Sequence, residues 1–135
     1  MGIPTHEDAK LMLQLFRTRQ EPRFLENEIW FLREFRPGPW SEVSHRYPAG
    51  TQERNRLDSV LGYWELVGAL IDHGLLSEDL LFDVLNDTGP LWERIEPWVI
   101  EARAEQGNDT WENIEILVER QRRWRQLHRP KSTRL

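Results

Sequence analysis

Asp58, Gly62, Glu65, Ala69 and Asp72 recur at spacings of four, three, four and three. On a helix these residues share one strip. Carboxylates on a common face can bind a metal ion or divide acid and base work between them. Glu65 and Asp72, however, stand two turns apart, about 10 Å along a helix axis. That is too far to share one ion unless other residues come between them. Charged side chains are rarely buried unless paired, so the favoured reading is a narrow polar edge between two buried flanks. On that reading Glu65 pairs with an arginine of another helix, and Arg17 and Arg103 are the candidate partners. A third reading uses the small residues. Gly62 and Ala69 would let another helix, from a second subunit, come close.

The remaining chemistry is sparse. The four histidines are His6, His45, His73 and His128. Glu42 and His45 form one Glu-x-x-His, whereas helical two-metal sites use two such pairs with further glutamates. No metal site is expected, and no cofactor. There is no cysteine, no Gly-x-Ser-x-Gly and no glycine-rich phosphate loop, so nucleophilic catalysis and phosphate transfer have no support. The other chemically suggestive stretch is the C-terminal "RQRRWRQLHRPKSTRL". Arg120, Arg122, Arg123 and Arg125 flank Trp124 there. Arginine beside an aromatic ring can pair with phosphate and stack on a base. The same cations also complement the negative end of a helix, and they can neutralise an acidic body.

Such a body exists. Residues 1–119 carry all 23 acidic side chains against 11 basic ones, and residues 120–135 carry seven basic side chains and no acidic one. This split is the strongest electrostatic feature of the chain. It disfavours binding of a long duplex, which the acidic body would repel. A length of 135 residues suits one domain. The absence of cysteine fits a reducing, cytoplasmic setting. No apolar run reaches membrane-spanning length, and the opening "MGIPTHEDAK" lacks the pattern of a signal peptide. Seven tryptophans imply a core of large rings. Trp64, Trp92, Trp98 and Trp111 are assigned to that core. Trp40, in a proline-rich loop, and Trp124, among arginines, are expected to be partly exposed and available to a partner.

These residues must be positioned by helices, because the apolar periodicity is helical nearly throughout. Thr5 caps a first helix to about Arg19, with Glu7 and Asp8 in its first turn and Ala9, Met12, Leu13 and Phe16 facing inward. Pro22 opens a second, from about Glu21 to Phe35, with Phe24, Leu25, Ile29, Leu32 and Phe35 as its apolar face. The segment from Arg36 to Gly50 is irregular apart from one turn at "WSEVSHR". A third helix spans about Thr51 to His73 and stops at Gly74. Ser77 caps a short fourth. A fifth runs from Leu91 to Glu105, kinked at Pro97. Asp109 and Glu112 form a capping box for the last helix, which Pro130 stops. The expected fold class is all-α: an irregular bundle of five or six helices in a single domain over residues 1–130. Residues 131–135 are expected to be a frayed tail.

The order "LMLQLFRTR", "REFRP", "YWELVGALIDHGLLSEDLLFDVL" and "LWERIEPWVIEAR" resembles an uncharacterised family of small all-helical bacterial proteins. The likeness covers about residues 9–105. It implies an all-helical fold and a bacterial or phage origin, and it carries no functional residue with it. The expected function is therefore a non-enzymatic role through protein–protein interaction, including self-association. One alternative is a bundle with a Trp- and Glu65-lined pocket for a small molecule. Another is a nucleic-acid-binding accessory protein that uses the basic C-terminal helix.

Overall fold

A computed structural model describes residues 2–133. Among them are eight α-helices: α1 (His6–Gln20), α2 (Pro22–Arg33), α3 (Trp40–Arg46), α4 (Gln52–Asp72), α5 (Glu78–Val84), α6 (Gly89–Glu93), α7 (Glu96–Gln106) and α8 (Glu112–Leu127). No strand occurs among the described residues. The longest helix, α4, lies between α2 and α8, while α1 and α5 close one side and α3 packs on α7.

The bundle is all-α as expected, but with eight helices rather than five or six. Two prolines account for the difference. Pro97 cannot donate a backbone hydrogen bond, so the expected single helix divides at Arg94 and Ile95. Pro97 then sits in the first turn of α7, where no N–H is needed. The Arg94 carbonyl, which a continuous helix would pair with an amide, accepts instead from the Trp98 indole at 2.9 Å. In the proline-rich segment, Pro39 precedes α3 and fixes its entry, so "WSEVSHR" makes two turns instead of one. Lys131–Thr133 form a 3-10 turn, and residues 134 and 135 lie outside the described residues.

Most of the expected caps are present. Thr5 and Asp8 form a reciprocal capping box on α1. Asp8 also accepts from the backbone N–H of Ser77 at 2.9 Å, which ties α1 to the start of α5. At the end of α4, Gly74 takes a φ of 70° that a side chain would resist. The Leu75 N–H then closes on the Leu70 carbonyl at 2.9 Å. The expected capping box at Asp109 and Glu112 does not form. Trp111 occupies the N-cap of α8 with a left-handed φ of 54° and makes no side-chain cap.

The largest departure is the rotation of α2. Phe24, Trp30 and Phe31 face the core, and Phe35 just beyond the helix is 1% exposed. Leu25, Ile29 and Leu32, expected inside, are 42%, 52% and 48% exposed. Rings bury more apolar area per position than leucines, so where two apolar faces compete, the ring face wins. Phe31 stacks on Phe35 at 5.4 Å between centroids, and Phe35 also meets Trp30, Tyr47 and Trp98. Arg94 of the α6–α7 break reaches back to donate to the carbonyls of Phe31 and Phe35. It thereby satisfies the end of α2. On α1 the inward residues are Met12 and Leu15, and Leu13 is exposed.

Helices α4 and α8 approach each other closely at Gly68. A Cβ built on Gly68 would lie 2.0 Å from the carbonyl oxygen of Asn113 and 2.6 Å from its carbonyl carbon. Those are backbone atoms at the start of α8, and they cannot turn aside as a side chain can. Gly68→Ala is therefore expected to destabilise the fold by about 3 kcal/mol, although alanine is the better helix former. Gly62, on the same helix, has nothing within 4 Å of such a Cβ. Gly62→Ala should stabilise by up to about 1 kcal/mol. Urea denaturation of the two variants beside the wild type measures both effects.

Candidate functional site

Glu65, at the centre of the strip on α4, faces the start of α8. One Glu65 oxygen accepts from the Ile114 backbone N–H at 3.1 Å, and the other accepts from the Asn113 side-chain amide at 3.0 Å. Ile114 is the third residue of α8, so Glu65 satisfies an N–H that the helix itself leaves unpaired. The local N-cap, Trp111, supplies nothing. The carboxylate also sits at the positive end of α8. Neither candidate arginine is its partner. Arg17 is exposed on α1 and has no ion pair among the described residues. Arg103 pairs with Glu115 at 2.9 Å and donates to the Thr110 carbonyl at 2.9 Å. The arginine expectation failed because α8 presents backbone N–H groups to Glu65, and these replace a cation.

The other strip carboxylates part company with Glu65. Asp58 pairs with Arg54 one turn away at 3.4 Å, and Asp72 pairs with Arg120 at 3.0 Å. Among the described residues, no group of three His, Cys, Asp or Glu side chains could hold a metal ion.

The basic C-terminal segment spends part of its charge on the fold. Arg120 bridges Asp72 at 3.0 Å and Glu78 at 3.2 Å, joining the end of α4 to the start of α5. The Trp124 indole donates to Asp79 at 2.8 Å. Its ring stacks on His128 at 4.3 Å between centroids. Arg125 reaches the Leu85 carbonyl at 3.4 Å, and Lys131 pairs with Asp83 at 2.7 Å. Arg122, Arg123 and Arg125 of the candidate interaction set are exposed without an ion pair among the described residues. Trp40, expected at the surface, is 7% exposed. It stacks on Trp98 at 5.5 Å, lies under the Arg54 guanidinium and donates to Glu105.

Two features went unread in the sequence. Gln121 is 1% exposed, and every hydrogen-bonding position of its amide is used. Its oxygen accepts from the Thr88 N–H and hydroxyl at 2.8 and 2.6 Å, and its nitrogen donates to the carbonyls of Leu85 and Asn86 at 3.4 and 3.0 Å. This pins the α5–α6 turn. That turn walls a cavity of about 230 Å³, bounded also by Arg19, Glu28, Phe31, Leu32, Val60 and Trp64. Within it Arg19 pairs with one Glu28 oxygen at 2.7 Å and lies over the Trp64 ring at 4.9 Å. The other Glu28 oxygen is buried with no hydrogen-bond partner among the described residues. So a cavity lined by tryptophan and glutamate exists, but Trp64 and Glu28 line it and Glu65 does not. A glutamine on a helix and a glutamate on a mixed face gave no spacing signal for either role.

Removing the Glu65 cap separates hydrogen bonding from charge. Glu65→Ala leaves the Ile114 N–H without its acceptor and should cost about 1–3 kcal/mol. Glu65→Gln keeps an acceptor oxygen and should cost less. Burial raises the Glu65 pKa above the ordinary value, against the lowering effect of the Asn113 and Ile114 hydrogen bonds. A raised folded-state value means that the folded chain binds more protons than the unfolded one between the two values. The wild type therefore loses stability as pH climbs through that interval, and the Gln variant does not. Denaturation at a series of pH values upward from about 4 should show the Gln variant gaining on the wild type.

Residues 4–124 match the family described as Domain of unknown function (DUF4760). Among curated proteins nothing matches the chain. Among solved structures nothing matches it either. The match takes in α1 to α7 and α8 as far as Trp124, and so includes the Glu65 cap, the Gly68 contact and the Gln121 clamp. The chain belongs to this family of domains of unknown function.

Proposed function

We propose that the protein acts without catalysis, by binding protein, and that its partner is a second copy of the chain docked on the outer face of α2. The observation that carries this is the row of Leu25, Ile29 and Leu32. These side chains follow at helical spacing, and each is between two-fifths and just over one-half exposed. Among the described residues, no other helix covers this face. Charge supports the choice of occupant. Glu21 and Glu26 stand at the N-terminal end of the row, and Arg33 and Arg36 at the C-terminal end. All four are exposed, and none is in an ion pair among the described residues. Two copies crossing antiparallel about Ile29 would set Glu26 near the second copy's Arg33, and Glu21 near its Arg36. Such a pairing is self-complementary, as twofold interfaces are.

A face this narrow suits a transient dimer rather than an obligate one. The basic tail is the weaker candidate for docking, because Arg120, Lys131 and the Trp124 indole are engaged within the fold. The same engagement weighs against a nucleic-acid role. A cytoplasmic setting belongs to the proposal and rests on the cysteine-free sequence. No described helix is long and apolar enough to cross a membrane.

Sedimentation across a concentration series tests the reading. The wild type should pass from monomer to dimer, and Ile29→Arg should weaken the dimer at least about tenfold. A wild type that stays monomeric up to about 1 mM overturns self-association.

A further inference from the structure

We propose that the cavity between α2, α4 and the α5–α6 turn binds a small, flat, uncharged ring compound that donates a hydrogen bond to Glu28. Three observations define the ligand. The first is size. An apolar cavity of about 150 Å³ takes a six-carbon ring. A volume of about 230 Å³ therefore suits about nine non-hydrogen atoms by proportion. The second is lining. Phe31, Leu32, Val60 and Trp64 make the walls chiefly apolar, as in most small-molecule sites. The third is the polar group. Glu28 Oε2 is buried and accepts from no group among the described residues, and an unmade hydrogen bond of this kind is expensive. An incoming N–H or O–H would complete it.

The neighbouring arginine decides the charge. Arg19 holds Glu28 Oε1 at 2.7 Å. An ammonium brought to Oε2 would lie beside that guanidinium and be repelled. A neutral donor meets no such opposition. A carboxylate ligand would face Glu28 itself. The ligand class is therefore a neutral aromatic N–H or O–H compound. Leu32 is shared with the dimer face, but Ile29 does not line the cavity, so Ile29→Arg disturbs the dimer without altering the cavity lining.

Indole and indene test this as a pair. Both are flat bicycles of matching size, and only indole carries an N–H. Binding is followed by amide and methyl NMR shifts in the wild type and in Glu28→Gln. Arg19 requires an oxygen, so the Gln variant would keep its oxygen there and turn its NH₂ into the cavity. This replaces an acceptor with a donor. In the wild type, indole should bind saturably with shifts at Arg19, Val60 and Leu91, and at least about tenfold more tightly than indene. In Glu28→Gln that preference should vanish. Leu32→Trp, at the exposed lip, should abolish the binding of both probes, and it keeps the test open if the Gln variant fails to fold. Ile29→Arg should leave indole affinity within about twofold, so the ligand site and the dimer can fail separately. Absence of saturable binding by either probe, meaning a cavity that holds only water, overturns the proposal. So does an indole preference that survives Glu28→Gln, or indole shifts that survive Leu32→Trp.

Discussion

The bundle depends on one backbone contact, the start of α8 lying directly on α4 at Gly68. At this distance no side chain fits between the helices, so glycine is required by space and not by a special φ. The same contact brings the N–H of Ile114 within reach of Glu65, one turn before Gly68 on α4. A helix that begins at a left-handed tryptophan, with no cap of its own, is completed by a carboxylate 49 positions earlier in the chain. Close packing and capping are thus one arrangement seen from two sides. Moving α8 outward to relieve the contact at Gly68 would also draw its N–H away from Glu65.

This contact also explains the division of charge along the sequence. Once α8 is laid along α4, its basic end passes over the C-terminus of α4 and the acidic first turn of α5. Arg120 meets Asp72 and Glu78, and Lys131 meets Asp83. Each exposed pair is worth little alone. Together with the Trp124–Asp79 hydrogen bond, they fix where a seven-residue helix sits, which its short apolar face could not do by itself. Part of the acidic body and part of the basic end read from the sequence meet in an internal seam.

What the sequence disclosed follows from the range of the forces involved. Local rules worked: Thr5, Ser77, Gly74 and the helical periodicity placed most element ends within a residue or two. Rules that need the third dimension did not. Leu25, Ile29 and Leu32 have the same period as Phe24, Phe31 and Phe35, and only the competition for one core separates them. Trp40 looked exposed because prolines surround it, yet those prolines set the start of the helix that delivers it to Trp98. Glu65 was expected to pair with an arginine of another helix, but its partner is a backbone N–H, a group every residue carries and no residue letter announces. Gln121 was invisible for a related reason, since all four of its contacts are to one turn some thirty-five positions away.

That glutamine has a thermodynamic consequence. The stretch between α5 and α6 has no regular structure of its own, and such turns ordinarily sample many shapes. One amide, already fixed in a helix, removes that freedom by occupying four groups of the turn at once. The ordering entropy is therefore met during folding, before anything enters the adjoining cavity. A wall held in this way presents the same surface empty or filled, so an occupant meets a preorganised site and loses none of its affinity to shaping it.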